Sequence, residues 1–309
     1  MDRIQQLSYE KDFRIRFLES RGDAFQRLFE TVMSKRYPGD FMACRPWGRQ
    51  GDRKNDGYLP SARTLFQVYA PNELSAAATV AKIEEDFAGA KPHWQQYFDR
   101  WVFVHNAYDQ RLPPDVIKTL LDLRSANPQL AIEQWGYEEL LIEFRRLKLV
   151  DLESWFGIAF SAQDKARLGY AELQAVIEHI KLVPAPADIA PRPVPLGKIE
   201  FNQLSPAVAS YLKLGMEKAP LVERFFAAWR DPQYGMRIAA AFKARYAQLR
   251  DQEPALHPDA IWGELEAWAG MGATKQPIEH LAITAILAWL FDSCDIFEEP
   301  PAPAAPVQP

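Results

Sequence analysis

The sequence predicts an α/β domain followed by an all-helical one. Strand-like runs are confined to the first half, a proline-dense stretch sits at 183–195, and beyond it every apolar pattern has helical spacing. A chain of 309 residues with 48% hydrophobic content is long enough for two ordinary cores.

Taken in order, residues 11–36 place Phe13, Phe17, Leu18, Phe25, Leu28, Phe29, Val32 and Met33 at helical spacing, with Asp23 set to cap a second segment. Tyr37–Asp40 reads as a turn, and Phe41–Pro46 as a short extended run into a glycine-bounded loop, Gly48–Gly57. Strands follow at Tyr58–Leu59 and Leu65–Tyr69, closed by Pro71, which has no N–H for a ladder. Asn72 is placed to cap a helix over Glu73–Ala90. Arg100–His105 is the continuous apolar run of a strand buried on both faces, and Leu130–Trp135 is a further strand. Helices over Asp115–Ser125 and Tyr137–Leu147 separate and follow them. The expected order is helix, three strands, helix, strand, helix, strand, helix, which makes a mixed sheet flanked by helices over 1–150.

Residues 151–182 read as connecting helices. Five prolines within Val183–Pro195 forbid a helix and favour an extended connector, so 183–198 is expected to be the domain boundary. Ser205-Pro206 opens a helical domain over 199–299 as cap and first-turn proline. Helices are expected at Val208–Met216, Pro220–Trp229, Tyr234–Leu249, Pro258–Gly270 and Pro277–Phe291, the last apolar nearly all round and therefore central or at an interface. Residues 300–309, rich in proline and alanine, are expected to be disordered.

The chain carries no apolar run of membrane-spanning length, which points to a soluble, cytoplasmic protein with no membrane partner. Cys44 and Cys294 form no CxxC or zinc pattern and read as buried thiols. The histidines, His105 included, have no metal-ligand spacing; His105 ends a strand and reads first as a core histidine. A net charge of −5 argues against a generally basic nucleic-acid coat. The charge is uneven, however. Lys35, Arg36, Arg45, Arg49, Arg53, Lys54 and Arg63 face only Asp40, Asp52 and Asp56 between positions 35 and 63.

That basic cluster surrounds the hairpin on which the first half is centred. Asp52 and Asp56 lie on its polar turn, and Gln67 and Tyr69 alternate to one side of the following strand. Carboxylate and amide oxygens on adjacent strands suit a hard cation such as Mg²⁺ (or Mn²⁺), with Glu30 of the preceding helix as a further candidate ligand. Trp47, Tyr58 and Tyr69 are candidates for stacking on bases, though strand-edge aromatics are more often core.

The element order and hairpin resemble the PD-(D/E)XK nuclease superfamily, particularly its Mrr-like restriction-endonuclease branch, over residues 11–148. Asp56 matches the metal-binding aspartate, and Gln67, eleven positions later, the acid-or-glutamine position. The family's lysine position holds Tyr69, and Lys54 or Lys82 is the nearest source of an ammonium group. The resemblance implies a Mg²⁺-dependent endodeoxyribonuclease with Asp56, Gln67, Lys54 and Tyr69 at the catalytic centre. Asp56, Gln67, Glu30 and Asp52 would hold metal, and Arg45, Arg49, Arg53 and Lys54 would grip DNA phosphates.

In the second half, Leu290–Glu298, with Asn202–Ser205 and Phe242–Tyr246, resembles the C-terminal domains of ABC-three-component bacterial defence systems, the Lamassu type among them, over 196–299. That resemblance implies an effector-type subunit docked on an SMC- or Rad50-like ATPase and an accessory subunit. Two readings of the first half stay open. It is an active nuclease, or a catalytically degenerate adaptor that binds DNA or the ATPase; control through a homo-oligomer is a third arrangement.

Overall fold

The computed structural model describes residues 1–44, 54–107, 111–178, 180, 197–270, 276–293 and 295–301. The chain divides into two compact units, one formed by Arg16–Asp151 and the other by Met1–Ile15 with Leu152–Pro309. The first helix, α1 (Arg3–Glu19), contributes residues to both.

The unit Arg16–Asp151 is built on a mixed sheet. Helix α2 (Gly22–Arg36) buries Phe25, Leu28, Phe29, Val32 and Met33, one stripe at helical spacing, and ends on Lys35 and Arg36 at the negative end of its dipole. Asp23 lies in its first turn, and the residue at the cap position is Arg21. Strands β1 (Met42–Ala43), β2 (Gly57–Leu59) and β3 (Thr64–Tyr69) pair antiparallel, with a 3₁₀ turn at Pro60–Ala62. Helix α3 (Ala76–Trp94) then carries the chain to β4 (Arg100–His105), and α4 (Pro114–Ala126) to β5 (Ala131–Trp135), both parallel to β3. Ser75 caps α3 by accepting from the Ala78 amide, a role the sequence reading gave to Asn72. Helix α5 (Tyr137–Phe144) closes the unit against α2. The strand order is β1-β2-β3-β4-β5, and from α2 onward the element order is the one expected from the sequence, while α1 starts at Arg3, ahead of the helix expected from residue 11.

The two faces of β3 meet different layers. Phe66 packs on Phe29 of α2 at 5.3 Å and on Phe41 at 6.2 Å. Leu65, one residue back, joins Ile83, Phe87, Trp101, Phe103, Val116, Leu120 and Ile132 under α3 and α4, and Tyr58 and Tyr69 pack on the same cluster. Gly57 belongs to the α2 face, where a Cβ would lie 2.5 Å from Phe41 Cζ. Trp101 through Val104 are fully buried, as the apolar run of β4 required.

In the other unit, α6 (Leu149–Phe156), which begins at the unit boundary, leads to α7 (Ala162–Arg167) and α8 (Tyr170–Ile177). Then come α9 (Lys198–Phe201), α10 (Pro206–Met216), α11 (Ala219–Ala227), α12 (Tyr234–Arg250), α13 (Pro258–Gly270) and α14 (Pro277–Asp292). The five helices expected beyond residue 205 are all present, and Ser205 caps α10 through the Val208 amide with Pro206 behind it. Helix α14 is central: its side chains from Leu281 to Ala288 are buried, against α8, α10, α11 and α13. Gly215 makes this possible on α10, since a Cβ there would lie 2.6 Å from the Thr284 carbonyl oxygen.

Two boundaries differ from expectation. The proline-rich segment was expected to separate domains, yet the residues on either side of it share one core. Phe160, Leu168, Leu173, Val176, Ile177 and Ile180 are buried with Val208, Leu212, Phe225 and Ile286. Lys198, assigned to the connector, is instead buried in α9. Met1–Ile15, grouped from sequence with the sheet domain, belongs to this helical unit. Lys11 pairs with Glu266 of α13 and Arg14 with Asp259 at 3.3 Å, and charged groups so buried are kept only where partners hold them. Among the described residues no helix is long and apolar enough to cross a membrane.

Candidate functional site

The site singled out by the sequence lies where β2 begins and β3 ends. The antiparallel register pairs Gly57 with Phe66, so one step further places Asp56 beside Gln67. Asp56 is buried, and its Oδ2 accepts a hydrogen bond from the Val68 backbone amide at 2.7 Å. The carboxylate thus takes the place of a strand carbonyl just before β2 begins. Asp56 also donates its own N–H to Phe66 O at 3.0 Å, while its carbonyl accepts from the Cys44 amide at 3.1 Å. Its position is fixed from three sides.

Gln67 is buried, and its Oε1 has no hydrogen-bond partner among the described residues. Asn55 Oδ1 is in the same condition, although Asn55 Nδ2 donates to Cys44 Sγ at 3.1 Å. A buried acceptor without a donor is costly, and an oxygen in that state suits a cation or a donor from outside. Asp56 and Gln67 therefore fit a hard cation as two oxygen ligands. Of the other proposed ligands, Glu30 lies among the described residues and Asp52 does not. Glu30 sits on α2, the helix whose Phe29 packs on Phe66, and accepts from Gln26 of its own helix at 3.0 Å. Asp52, with Arg45, Trp47, Arg49 and Arg53, lies outside the described residues. No group of three carboxylate, imidazole or thiol side chains able to hold a metal forms among those that are described.

Tyr69 is half-buried against Phe103, with ring centroids 6.2 Å apart, and Tyr58 donates its hydroxyl to Tyr97 O at 2.6 Å beside Trp94. Both belong to the packing under α3 rather than to a displayed stacking platform. His105 is fully buried. Its Nδ1 accepts from the Ala107 amide at 3.1 Å, which leaves Nε2 to donate to Gln134 Oε1 at 2.6 Å. Burial lowers its pKa below the ordinary value, so it is a satisfied neutral core histidine, as first read.

The two lysines considered from sequence converge on one acid. Lys54 lies 3.2 Å and Lys82 2.9 Å from the same oxygen, Asp86 Oδ1, and Lys54 also meets Glu85 at 2.5 Å. The hydrogen bond to Glu85, with help from Asp86, raises the Lys54 pKa. Asp86 is fully buried, and its Oδ2 has no partner among the described residues. Sequence reasoning missed Asp86. The signal was there: it falls on the apolar stripe Thr79, Ile83, Phe87, Ala90 of α3, where a carboxylate has no business without a partner.

The described part of the basic cluster is already paired. Lys35 lies 3.5 Å from Asp151, Arg36 3.1 Å from Glu143, and Arg63 grips Asp99 through two nitrogens.

In the helical unit, the three sequence phrases singled out earlier meet in one place. Asn202 Nδ2 donates to the Glu298 carbonyl at 2.8 Å and the Glu298 amide returns a bond to Asn202 Oδ1 at 2.9 Å. The Glu298 side chain takes Arg250 at 2.7 Å and the Tyr246 hydroxyl at 3.4 Å. Lys198, itself buried, donates to the carbonyls of Phe291 and Ile296 at 2.7 and 3.0 Å. These bonds hold the segment after α14 against α9 and α12. Residues 171–298 match C-terminal domain 10 of the ABC-three component systems. The matched span starts in α8, ahead of the proline-rich segment, and ends on Glu298, so the domain includes the helix that sequence reasoning had assigned to a connector. This bears out the C-terminal part of the resemblance, over less than half of the 309-residue chain, and does not extend to the sheet. No curated protein matches the chain, and no solved structure does.

Proposed function

We propose that this chain is an effector-type subunit of a prokaryotic antiphage defence system. In this reading its helical unit docks it on an SMC-like ABC ATPase and an accessory subunit, and its sheet unit acts on DNA. The observation that carries the proposal is the match of residues 171–298 to a C-terminal domain of ABC-three component systems. Support for the sheet unit comes from the element order and from Asp56 and Gln67, buried side by side with an oxygen that lacks a donor among the described residues. Asp56 and Gln67 would hold Mg²⁺, which when bound polarises a scissile phosphate and acidifies water. The residues of the chain position the phosphate and supply positive charge.

The second reading is a nuclease-fold adaptor without catalysis. Tyr69, at the family's lysine position, is packed on Phe103, and Lys54 is engaged by Glu85 and Asp86.

The deciding experiment mixes the full chain, with and without the system's ATPase and accessory subunit, with linear and supercoiled plasmid in Mg²⁺ and in Mn²⁺. Cleavage abolished by Asp56→Asn establishes the nuclease. Co-purification with the ATPase but no cleavage in any mixture establishes the adaptor, and failure to co-purify with any component removes the defence-subunit reading altogether.

A further inference from the structure

A carboxylate buried on the apolar stripe of a helix, with one oxygen shared by two lysines and the other unpartnered among the described residues, calls for an explanation beyond packing. The arrangement at Asp86 is built from several directions. Lys82 reaches it from one turn earlier on α3. Lys54 reaches it from the segment entering β2, with its backbone at φ 60°, a conformation uncommon for a residue with a side chain. The stem of Lys54 lies across α3 at Gly89, where a Cβ would stand 2.7 Å from Lys54 Cγ. Gly89 thus clears the path that brings the second ammonium to Asp86.

The two acids at this cluster differ in mobility. Asp86 is fully buried and has nowhere to go, whereas the side chain of Glu85 is 65% exposed. The lysine side chains themselves are about a third exposed, 30% and 31%, and so within reach of solvent. Glu85 is therefore the acid that an anion from solvent would replace, while Asp86, with Oδ1 on both ammonium groups, would stay. Ammonium groups at fixed spacing are what a phosphate, with its several oxygens, binds as point charges.

We propose that Asp86 is a positioning residue that holds the Lys54 and Lys82 ammonium groups together as a two-pronged site for phosphate groups of a nucleic-acid backbone, with Glu85 as the partner that the phosphate displaces. The nucleic-acid source rests on the proposed function; the phosphate chemistry does not. Lys54 lies two residues before Asp56, so a phosphate held here lies at the entrance to the hairpin.

The test measures binding of inorganic pyrophosphate to the full chain by calorimetry at low salt, because the sign of one mutation separates positioning from plain charge. Removing a negative charge near an anion site tightens binding on electrostatic grounds alone. Glu85→Gln is expected to do so. Asp86→Asn, which removes the same charge, is expected to weaken binding several-fold because the two lysines spring apart. Gly89→Ala alters no charge and favours the helix, and it too is expected to weaken binding by displacing Lys54; it decides the matter if Asp86→Asn fails to fold. Wild-type protein that binds no pyrophosphate overturns the proposal, as does an Asp86→Asn or Gly89→Ala protein that binds as well as wild type or better. Plasmid that stays intact while pyrophosphate follows the expected pattern removes the nuclease reading alone. Asp56-dependent cleavage without any pyrophosphate effect removes this inference alone.

Discussion

Asp56 and Val68 are joined by a side-chain to backbone hydrogen bond of 2.7 Å, so the acid that the sequence marks for chemistry is also part of the sheet. A hydrogen bond from a part-buried backbone amide to a carboxylate is worth roughly 1.5–3 kcal/mol, and its loss leaves the amide unsatisfied. Asp56→Ala is therefore expected to lower the urea-derived stability of the protein by about that amount, while Asp56→Asn, which keeps an oxygen, costs less. Loss of activity in the alanine variant alone would confuse folding with chemistry. An Asp56→Ala protein as stable as wild type would show that the bond contributes nothing.

Gly57 is expected to tolerate no side chain. Its Cβ would meet Phe41 Cζ at 2.5 Å and Cε2 at 2.7 Å, with Phe29 behind at 3.5 Å. Gly57→Ala should destabilise by about 1–3 kcal/mol through overpacking, read from the thermal midpoint. An unchanged midpoint would mean that Phe41 moves aside freely.

Gly215 tests the core of the helical unit. An added Cβ would face the backbone oxygen of Thr284 at 2.6 Å and Ala288 Cβ at 2.8 Å, neither of which can swing away. Gly215→Ala is expected to separate α10 from α14 and to abolish co-purification with the ATPase. Retained co-purification at full stability would place docking away from this packing.

Lys198 holds the carbonyls of Phe291 and Ile296 and lies over the Phe291 ring at 4.3 Å. Lys198→Met keeps the stem and removes the donors. It should cost about 2–5 kcal/mol and raise the protease sensitivity of the segment after α14, measured by limited proteolysis.

His105 sets a pH dependence. Burial lowers its folded-state pKa from the ordinary 6.5, so the unfolded chain binds a proton first as the pH falls. The stability contribution is fully present above the unfolded value and declines as pH drops through the folded one. The urea midpoint should fall between pH about 7.5 and about 5, and His105→Gln should flatten that fall. His280, lowered for the same reason, keeps its own share. An identical pH profile in the variant would show that His105 does not titrate differently on unfolding.

Much of the architecture was legible because it depends on local periodicity. The apolar run of Arg100–His105 and the uniform apolarity of Pro277–Phe291 each demand one kind of burial, and the structure supplies it, whereas β3 is buried on both faces from Thr64 to Gln67. The division of the chain was not legible. Prolines at 183–195 predict an extended path, but local stiffness says nothing about whether Leu173 and Ile177 before it share a core with Val208 and Ile286 after it. Nor could spacing show that Lys11 and Arg14 belong with Glu266 and Asp259, because ion pairs across about 250 positions leave no trace in sequence.

What the sequence determined by itself was the order and type of the elements, the hairpin carrying Asp56 and Gln67, and the resemblance of the second half, later met by the match over 171–298. Tertiary structure alone decided that Lys54 and Lys82 meet at Asp86, and that Asn202, Tyr246, Arg250 and Glu298 form one knot. The physical reason is range. Periodicity and capping act within a few turns of chain, whereas the pairing of buried charges is settled only when distant segments are brought together and each desolvated group must find its partner.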